Sequence, residues 1–267
     1  MSRTGHDRRG CKATWDAAAL RDPHRQVDKA ARVERMFNAI APTYERVNTV
    51  ASFGRDIAWR NRTVEAAAVR SGDVVLDVCC GTGDMLRVFA VSDPAPAIVV
   101  GIDFADQMLE RSKLDGVEEA IQLIRADALR LPLADASVDV VSCVFGVRNF
   151  GDLQAGLCEM SRVARPGARL VILEFATPRN FLLRWVYGFY CDHVLPRLAA
   201  AISHDRTGAY RYLPRSIRTF ETALTMVRRL EDAGFREVHV RPMNLGGVVL
   251  YRAVRPGPIV RPGERGR

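Results

Sequence analysis

The chain has 267 residues, 48% hydrophobic and 26% charged, a length for one α/β domain with appendages and a composition of the globular class. No apolar run approaches the ~20 residues that cross a bilayer, and the charged first ten residues lack the apolar core of a secretory signal, so the expected location is the cytoplasm. The net charge of +8 would argue for nucleic acid if it lay on a folded face, but residues 1–35 hold nine Lys/Arg against five Asp/Glu and residues 255–267 hold four Arg against Glu264, leaving +1 for everything between.

Residues 1–32 read as a flexible basic arm. Residues 33–41 have the helical spacing Val33, Met36, Phe37, Ile40, stopped by Pro42. A second helix spans 59–69 and leads to the turn Ser71-Gly72-Asp73. Strand and helix then alternate. Residues 74–78 are a short buried strand, 84–91 its crossover helix, 98–102 the second strand, 107–113 a helix, 121–124 the third strand and 138–145 the fourth. Residues 153–164 are helical and close on the turn Arg165-Pro166-Gly167; 169–175 is the fifth strand. An aromatic-rich stretch, 180–203, reads as a helical insertion extending to about 220. A helix over 222–234 and two strands, 238–240 and 247–254, finish the domain as a hairpin. This predicts a Rossmann-like, doubly wound, mostly parallel seven-stranded α/β sheet over 33–254, with an N-terminal helical cap and a C-terminal antiparallel hairpin. Residues 255–267, rich in Pro, Gly and Arg, read as a disordered basic tail. The six cysteines form no C-x-x-C pair, so neither a disulfide framework nor a metal site is expected.

In such sheets a ligand lies beyond the carboxyl ends of the strands. The first strand carries Asp77 and runs into Cys80-Gly81-Thr82-Gly83, whose glycines allow a tight turn close to a ligand. A G-x-G alone is equally a structural turn. A dinucleotide fingerprint needs glycine at position 86, which is Leu86. Asp103 ends the second strand, where a carboxylate accepts both hydroxyls of a ribose. Asp127, followed by Ala128, ends the third, where a carboxylate accepts from an adenine amine. Each carboxylate alone could be a helix N-cap; in series after a glycine loop, they point to a nucleoside.

The order Asp77, Gly81-x-Gly83, Asp103, Asp127-Ala128 resembles the class I S-adenosylmethionine-dependent methyltransferases. More closely it resembles the menaquinone/ubiquinone-pathway C-methyltransferases, through Leu76-Asp77-Val78-Cys79-Cys80-Gly81-Thr82-Gly83-Asp84, Phe145-Gly146-Val147-Arg148-Asn149, Leu173-Glu174-Phe175, His193-Val194-Leu195-Pro196-Arg197, Tyr210-Arg211-Tyr212-Leu213 and Asp232-Ala233-Gly234-Phe235. The resemblance covers about 33–254. It implies S-adenosyl-L-methionine as cofactor, with Thr82 at the loop, Asp103 at the ribose and Asp127 with Ala128 at the adenine; Asp77, Gly81 and Gly83 complete that set. The Cys79-Cys80 pair, where the superfamily often has a glycine first, resembles the menaquinone branch. The implied reaction is C-methylation of a prenylated quinol, demethylmenaquinol to menaquinol.

Methylating a quinol carbon requires loss of a phenolic proton, so that charge builds on the ring carbon. Arg148 and Asn149, just past the fourth strand, are the catalytic candidates: Arg148 to stabilise the phenolate or orient a water, Asn149 to hydrogen-bond a ring oxygen. Arg148 is equally readable as a structural salt bridge. Tyr44 from the cap and His193 from the insertion are second-line groups, and for His193 a structural role is the plainer reading. The aromatic insertion is either core or a lid over a prenyl-tail channel, which leaves room for contact with the inner face of the cell membrane and for a homodimer. The rival readings are the ubiquinone precursor as acceptor; a sterol, phospholipid or tocopherol-like acceptor; a nicotinamide oxidoreductase, disfavoured by Leu86; and a cofactor-binding module without turnover. No nucleic-acid partner is expected, since 144–149 lacks an Asn/Asp-Pro-Pro-Tyr-like motif.

Overall fold

The apolar runs pair as their β-branched content dictates. The strands are β1 (Val74–Val78), β2 (Ile98–Asp103), β3 (Ile121–Arg125), β4 (Val138–Val144), β5 (Ala164–Phe175), β6 (Arg236–Met243) and β7 (Val248–Val254). They form one sheet in the order β3-β2-β1-β4-β5-β7-β6, parallel through β5, with β7 antiparallel to both β5 and β6. The structure, a computed structural model, describes residues 14–257 apart from 204 and 206. Strand order reverses between β1 and β4, where Asp77 faces Ser142 in register. A crevice opens there, beyond the carboxyl ends.

Both sheet faces are covered, as parallel strands require. On one face α6 (Leu153–Val163) and α10 (Ala223–Asp232) bury Leu157, Met160, Met226 and Leu230. On the other, α3 (Arg55–Ala67) and α4 (Asp84–Ala90) bury Ala67, Leu86 and Phe89. Two local expectations change. The turn Arg165-Pro166-Gly167 lies inside β5, which starts at Ala164; the register shift opposite, between Val138 and Val140, absorbs it. The helix expected over 107–113 is a single turn, α5 (Asp106–Leu109).

The cap comprises α1 (Lys29–Ile40) and α2 (Tyr44–Ala51). The insertion runs through α7 (Phe181–Phe189), a π turn (Tyr190–Val194), α8 (Leu195–Ile202) and α9 (Ala209–Thr219). Asn180 starts α7 by accepting from Leu182 N and Leu183 N. Cap and insertion share a core of Trp15, Val33, Met36, Ala199 and Tyr212.

The arm expected over 1–32 is corrected from residue 14 on. Trp15 is fully buried and stacks on Tyr212, ring centroids 4.3 Å apart. Its carbonyl passes so near Gly208 (φ +86°) that a Cβ there would lie 2.7 Å from it. Arg215 donates to the carbonyls of Leu20 and Arg21, and Arg32 to that of Thr14. Charge along residues 1–35 hid one aromatic anchor. Trp15→Ala is expected to cost about 3–5 kcal/mol in urea unfolding, as a buried indole does; a truly free arm would show no loss. Residues 1–13 of that expectation lie outside the described residues. So does the expected tail beyond 257. Arg255 is anchored, its N–H donating to Ala168 O and its carbonyl accepting from Gly167 N.

Candidate active site

After β1 the backbone makes three left-handed turns, at Cys79 (φ 61°), Gly81 (φ 56°) and Gly83 (φ 85°). Cys79 is the costly one, since its Cβ is disfavoured there. The loop is sewn to β2: Cys80 N donates to Ile102 O at 3.0 Å and Gly81 N to Asp103 Oδ2 at 2.9 Å. Asp103 Oδ1 accepts from Ala105 N at 2.9 Å. Burial pushes the Asp103 carboxyl up to about 6, against three backbone N–H groups that favour its charge. Asp77 is 1% exposed, and its Oδ1 has no partner among the described residues. Burial pushes it up to about 7, with Ser142 opposing and the Asp103 charge adding. Thr82 is buried in the loop. Asp127 is exposed, with Oδ1 accepting from Leu129 N. Together with Asp103, the buried Ala128, Asn149 and Phe150, it lines a small pocket beside β2 and β3.

A second cavity, of about 700 Å³, lies on the other side of Cys79, which borders both. Its floor is the loop 79–82 and the ends of β4 and β5, its roof the cap and the insertion. Aromatic rings dominate. Phe145 stacks on Phe175 at 4.2 Å, and Trp59 meets both edge-on. Tyr44 lines the cavity, and a Cβ on Gly81 would touch its ring at 4.0 Å. Burial pushes the Tyr44 hydroxyl up, with Asn48 and Arg148 opposing.

Arg148 also lines this cavity, although it is 6% exposed. Its Nη1 donates to Glu174 Oε1 and to Phe145 O, each at 2.7 Å, and its guanidinium lies 5.3 Å from the Phe175 ring centre. Burial disfavours the charge, but Glu174 and two tyrosines outweigh it and leave Arg148 above its ordinary value. Its Nε is buried without an acceptor among the described residues. Arg148 thus pairs with Glu174 and at the same time lines the cavity.

Asn149 departs from expectation. It borders the small pocket, not the large one, and its Oδ1 accepts from Tyr212 Oη at 2.9 Å. Its Nδ2 donates to Phe145 O at 3.4 Å, so its hydrogen bonds tie the turn to itself and to α9. His193 is exposed against Phe189 and does not line the cavity. Glu174 was legible only as part of a motif. Lys29, buried within the expected arm, was not legible. Nor was the chain Asp56–Arg60–Asp84 at the cavity wall, at 2.5 and 2.8 Å; Asp84 at the first position of α4 was its one local signal. Cys79 and Cys80 are thiols held well above their ordinary values, Cys79 by the Cys143 thiol and then burial, Cys80 by burial first, which makes them poor nucleophiles.

The profile of the ubiE/COQ5 methyltransferase family matches residues 25–255. This chain belongs to that family. The demethylmenaquinone methyltransferase of Deinococcus radiodurans is 43% identical over 212 residues, 78% of this chain and 87% of that one. The one from Mycobacterium sp. (strain JLS) is 41% identical over 224 residues, 84% and 94% of the two. The ubiquinone/menaquinone biosynthesis C-methyltransferase UbiE of Shewanella frigidimarina is 38% identical over 231 residues, 85% and 92%. Among solved structures, a SAM-dependent methyltransferase from Thermotoga maritima superposes with a TM-score of 0.57 at 16% identity, covering 84% of this chain and 99% of that one. One from Aquifex aeolicus gives 0.53 at 19%, covering 73% and 89%; these likenesses bear on the fold. The protein is a methyltransferase whose cofactor is S-adenosylmethionine. The residues present suit that group: an unpartnered buried carboxylate oxygen on Asp77 for its cationic end, and an Asp103 carboxylate that accepts from Gly81 N and Ala105 N and has capacity to accept more.

Proposed function

We propose that the protein methylates the ring carbon of demethylmenaquinol, a prenylated quinol. The observation that carries this is an arginine, charged and with an unpaired Nε, on the wall of a mainly apolar cavity of about 700 Å³, where the neighbouring charges of Asp56, Arg60 and Asp84 pair with one another. Such a cavity suits a flat ring with one polar edge and an apolar tail.

Thr82, Asp77, Gly81 and Gly83 would hold the amino-acid end of the cofactor, Asp103 its ribose, and Asp127 with Ala128 its adenine. When bound, S-adenosylmethionine supplies an electrophilic methyl group on a sulfonium. Arg148, kept charged by Glu174, lowers the cost of passing the proton of the quinol oxygen next to the ring carbon to water, since the phenolate is stabilised where the charge forms; the ring proton that the methyl group replaces also leaves to water, and the phenol is restored. Asn149 holds the turn that carries Arg148. Tyr44, lying on Gly81, shields the reacting centre from water on the cap side. Phe145 and Phe175 offer faces for the ring.

Incubation with labelled cofactor and demethylmenaquinol is expected to yield labelled menaquinol. Faster transfer to the ubiquinone precursor would move the protein to the other branch, to which the dual name of the Shewanella relative points. No transfer to either quinol would leave a sterol, phospholipid or tocopherol-like acceptor.

A prenyl tail is dissolved in membrane, so the mouth of the cavity meets lipid in this reading. Phe53, Phe181, Leu182, Trp185, Phe189 and Leu245 are each more than half exposed, and Phe53 and Leu245 also line the cavity. They come from three separate segments, and no residue of α7 is buried. An exposed apolar rim of this kind, with Arg179 and Arg184 beside it, docks peripherally on anionic lipid. No described helix is long and apolar enough to cross a membrane. Phe181→Ala with Trp185→Ala is expected to lower binding to phosphatidylglycerol vesicles at least about tenfold, since each buried aromatic contributes roughly 1.5–3 kcal/mol. Turnover of a soluble, short-chain quinol would stay as it is. Equal sedimentation of both proteins would remove the rim from the reading.

A further inference from the structure

The Lys29 ammonium lies at the first turn of α1, 5% exposed, on the far side of the turn that carries Arg148 and Asn149. Its three protons have three neutral acceptors: Arg148 O at 3.0 Å, Phe150 O at 2.5 Å and His24 Nδ1 at 3.3 Å. With Nδ1 accepting, His24 carries its proton on Nε2, which donates to Ser216 O in α9 at 2.9 Å. The two carbonyls lie at the end of the 3-10 turn Val147–Asn149, which has no helical donors left to offer them. Lys29 supplies those donors from another element. A direct link runs in parallel, from Tyr212 of α9 to Asn149. The two sides of the clamped segment face different ligands. Arg148 lines the large cavity, while Asn149, Phe150 and Gly151 line the small pocket with Asp103.

We infer that Lys29 is a positioning residue of the methyl transfer: its ammonium clamps the 147–150 segment to the cap and, through His24, to α9. It thereby sets Arg148 toward the acceptor and the 149–151 wall toward the nucleoside. The role at Arg148 rests on the quinol reading; the role at the wall rests only on the cofactor. A lysine suits this place because one cation reaches two carbonyls and an imidazole at once. A neutral side chain of that length would leave buried acceptors unpaired.

The charged and titratable groups facing the clamp are the Arg148 guanidinium, His24 and, behind His24, Asp22. Burial, then the Arg148 charge, bring Lys29 down to about 8. Burial, then Lys29 and Arg148, hold His24 below its ordinary value, with Ser216 and Asp22 opposing. Loss of the Lys29 proton as pH rises through about 8 removes a donor. Gain of a second His24 proton at low pH would set two donors against each other. The clamp is complete between these limits.

The test is Lys29→Met and Lys29→Arg in the full chain. Cofactor affinity is read by calorimetry, kcat and KM with demethylmenaquinol, and folding by circular dichroism. Folded Lys29→Met is expected to bind cofactor about tenfold more weakly and to lose at least about tenfold in kcat, with KM for the quinol changed less than about threefold, as a misplaced catalytic turn does. Wild-type kcat should fall as pH rises through about 8, and Lys29→Arg, which keeps its charge, should hold kcat to higher pH. A folded Lys29→Met with wild-type affinity, kcat and alkaline limb would overturn the inference. Should either variant fail to fold, His24→Leu carries the test. It removes one acceptor and is expected to move the alkaline limb to lower pH, and an unchanged limb and kcat would overturn the clamp. If wild type methylates no quinol but Lys29→Met still weakens cofactor binding, the quinol reading fails and the clamp stands.

Discussion

Arg148→Ala is expected to lower kcat by about 10²–10³-fold, the usual effect of deleting a donor aimed at developing negative charge. The same change strands Glu174, a carboxylate 1% exposed that otherwise accepts from Arg148 Nη1, Arg148 N and Phe175 N. Breaking a buried pair costs about 3–5 kcal/mol because the remaining charge has no partner. Activity and stability should therefore fall together, and controls are needed to separate them. Glu174→Gln keeps one acceptor oxygen but leaves the buried guanidinium without a counter-charge, so it should also lose stability while the bond from Arg148 to Phe145 O remains. Arg148→Lys keeps the charge but not the planar fork that bonds Glu174 and Phe145 O together. It should recover stability better than turnover. Urea unfolding and steady-state rates on all three variants decide the matter. If folded Arg148→Ala turned over within about threefold of wild type, the phenolate role would be lost and Arg148 would be only a structural ion pair.

The parallel core was legible because each strand is a short β-branched run bounded by turn residues. Burial on both faces leaves that pattern little freedom. The cofactor loop was legible for a different reason: glycines and carboxylates recur at strand ends, and the topology brings every strand end to one edge. What the sequence did not disclose are partnerships between distant elements. Nothing local marks Glu174 as the partner of Arg148, 26 positions away, or Lys29 as the donor to carbonyls 119 and 121 positions away. Asn149 stands beside Arg148 in sequence, yet a 3-10 turn sends the two side chains to different pockets. Along residues 14–32 charge outweighed a single tryptophan, although that tryptophan pins the segment. Composition reports the average environment of a stretch, and one anchored ring is enough to order it.

The affinity for S-adenosylmethionine is expected to rise with pH and to level off above about 7, the value to which burial brings Asp77. Asp77 and Asp103 both lie above their ordinary value of 3.8 in the folded, unliganded chain. The folded state therefore holds protons that the unfolded state has released. Folding stability contributed by these groups is present at low pH and is lost as pH rises from about 4 through 6 and 7. A cation placed beside Asp77 and ribose hydroxyls donating to Asp103 reverse the preference, because both favour the ionised forms. Binding must then release protons below pH 7, and each unit of pH below that value weakens it by up to about tenfold per carboxyl. Between pH 8 and 5.5 the dissociation constant should weaken by one to two orders of magnitude, roughly, for the pair. Calorimetry in buffers of different ionisation enthalpy counts the released protons directly. Asp77→Asn should flatten the upper part of this profile and weaken binding at pH 8 by about tenfold or more, the contribution of a hydrogen bond to a charged group. Asp103→Asn should flatten the lower part, and it also leaves one of the N–H groups of Gly81 and Ala105 facing an amide instead of a carboxylate. A dissociation constant independent of pH between 5.5 and 8 would mean that neither carboxylate meets the cofactor as an ion. The glycine loop would then hold its ligand through backbone groups alone.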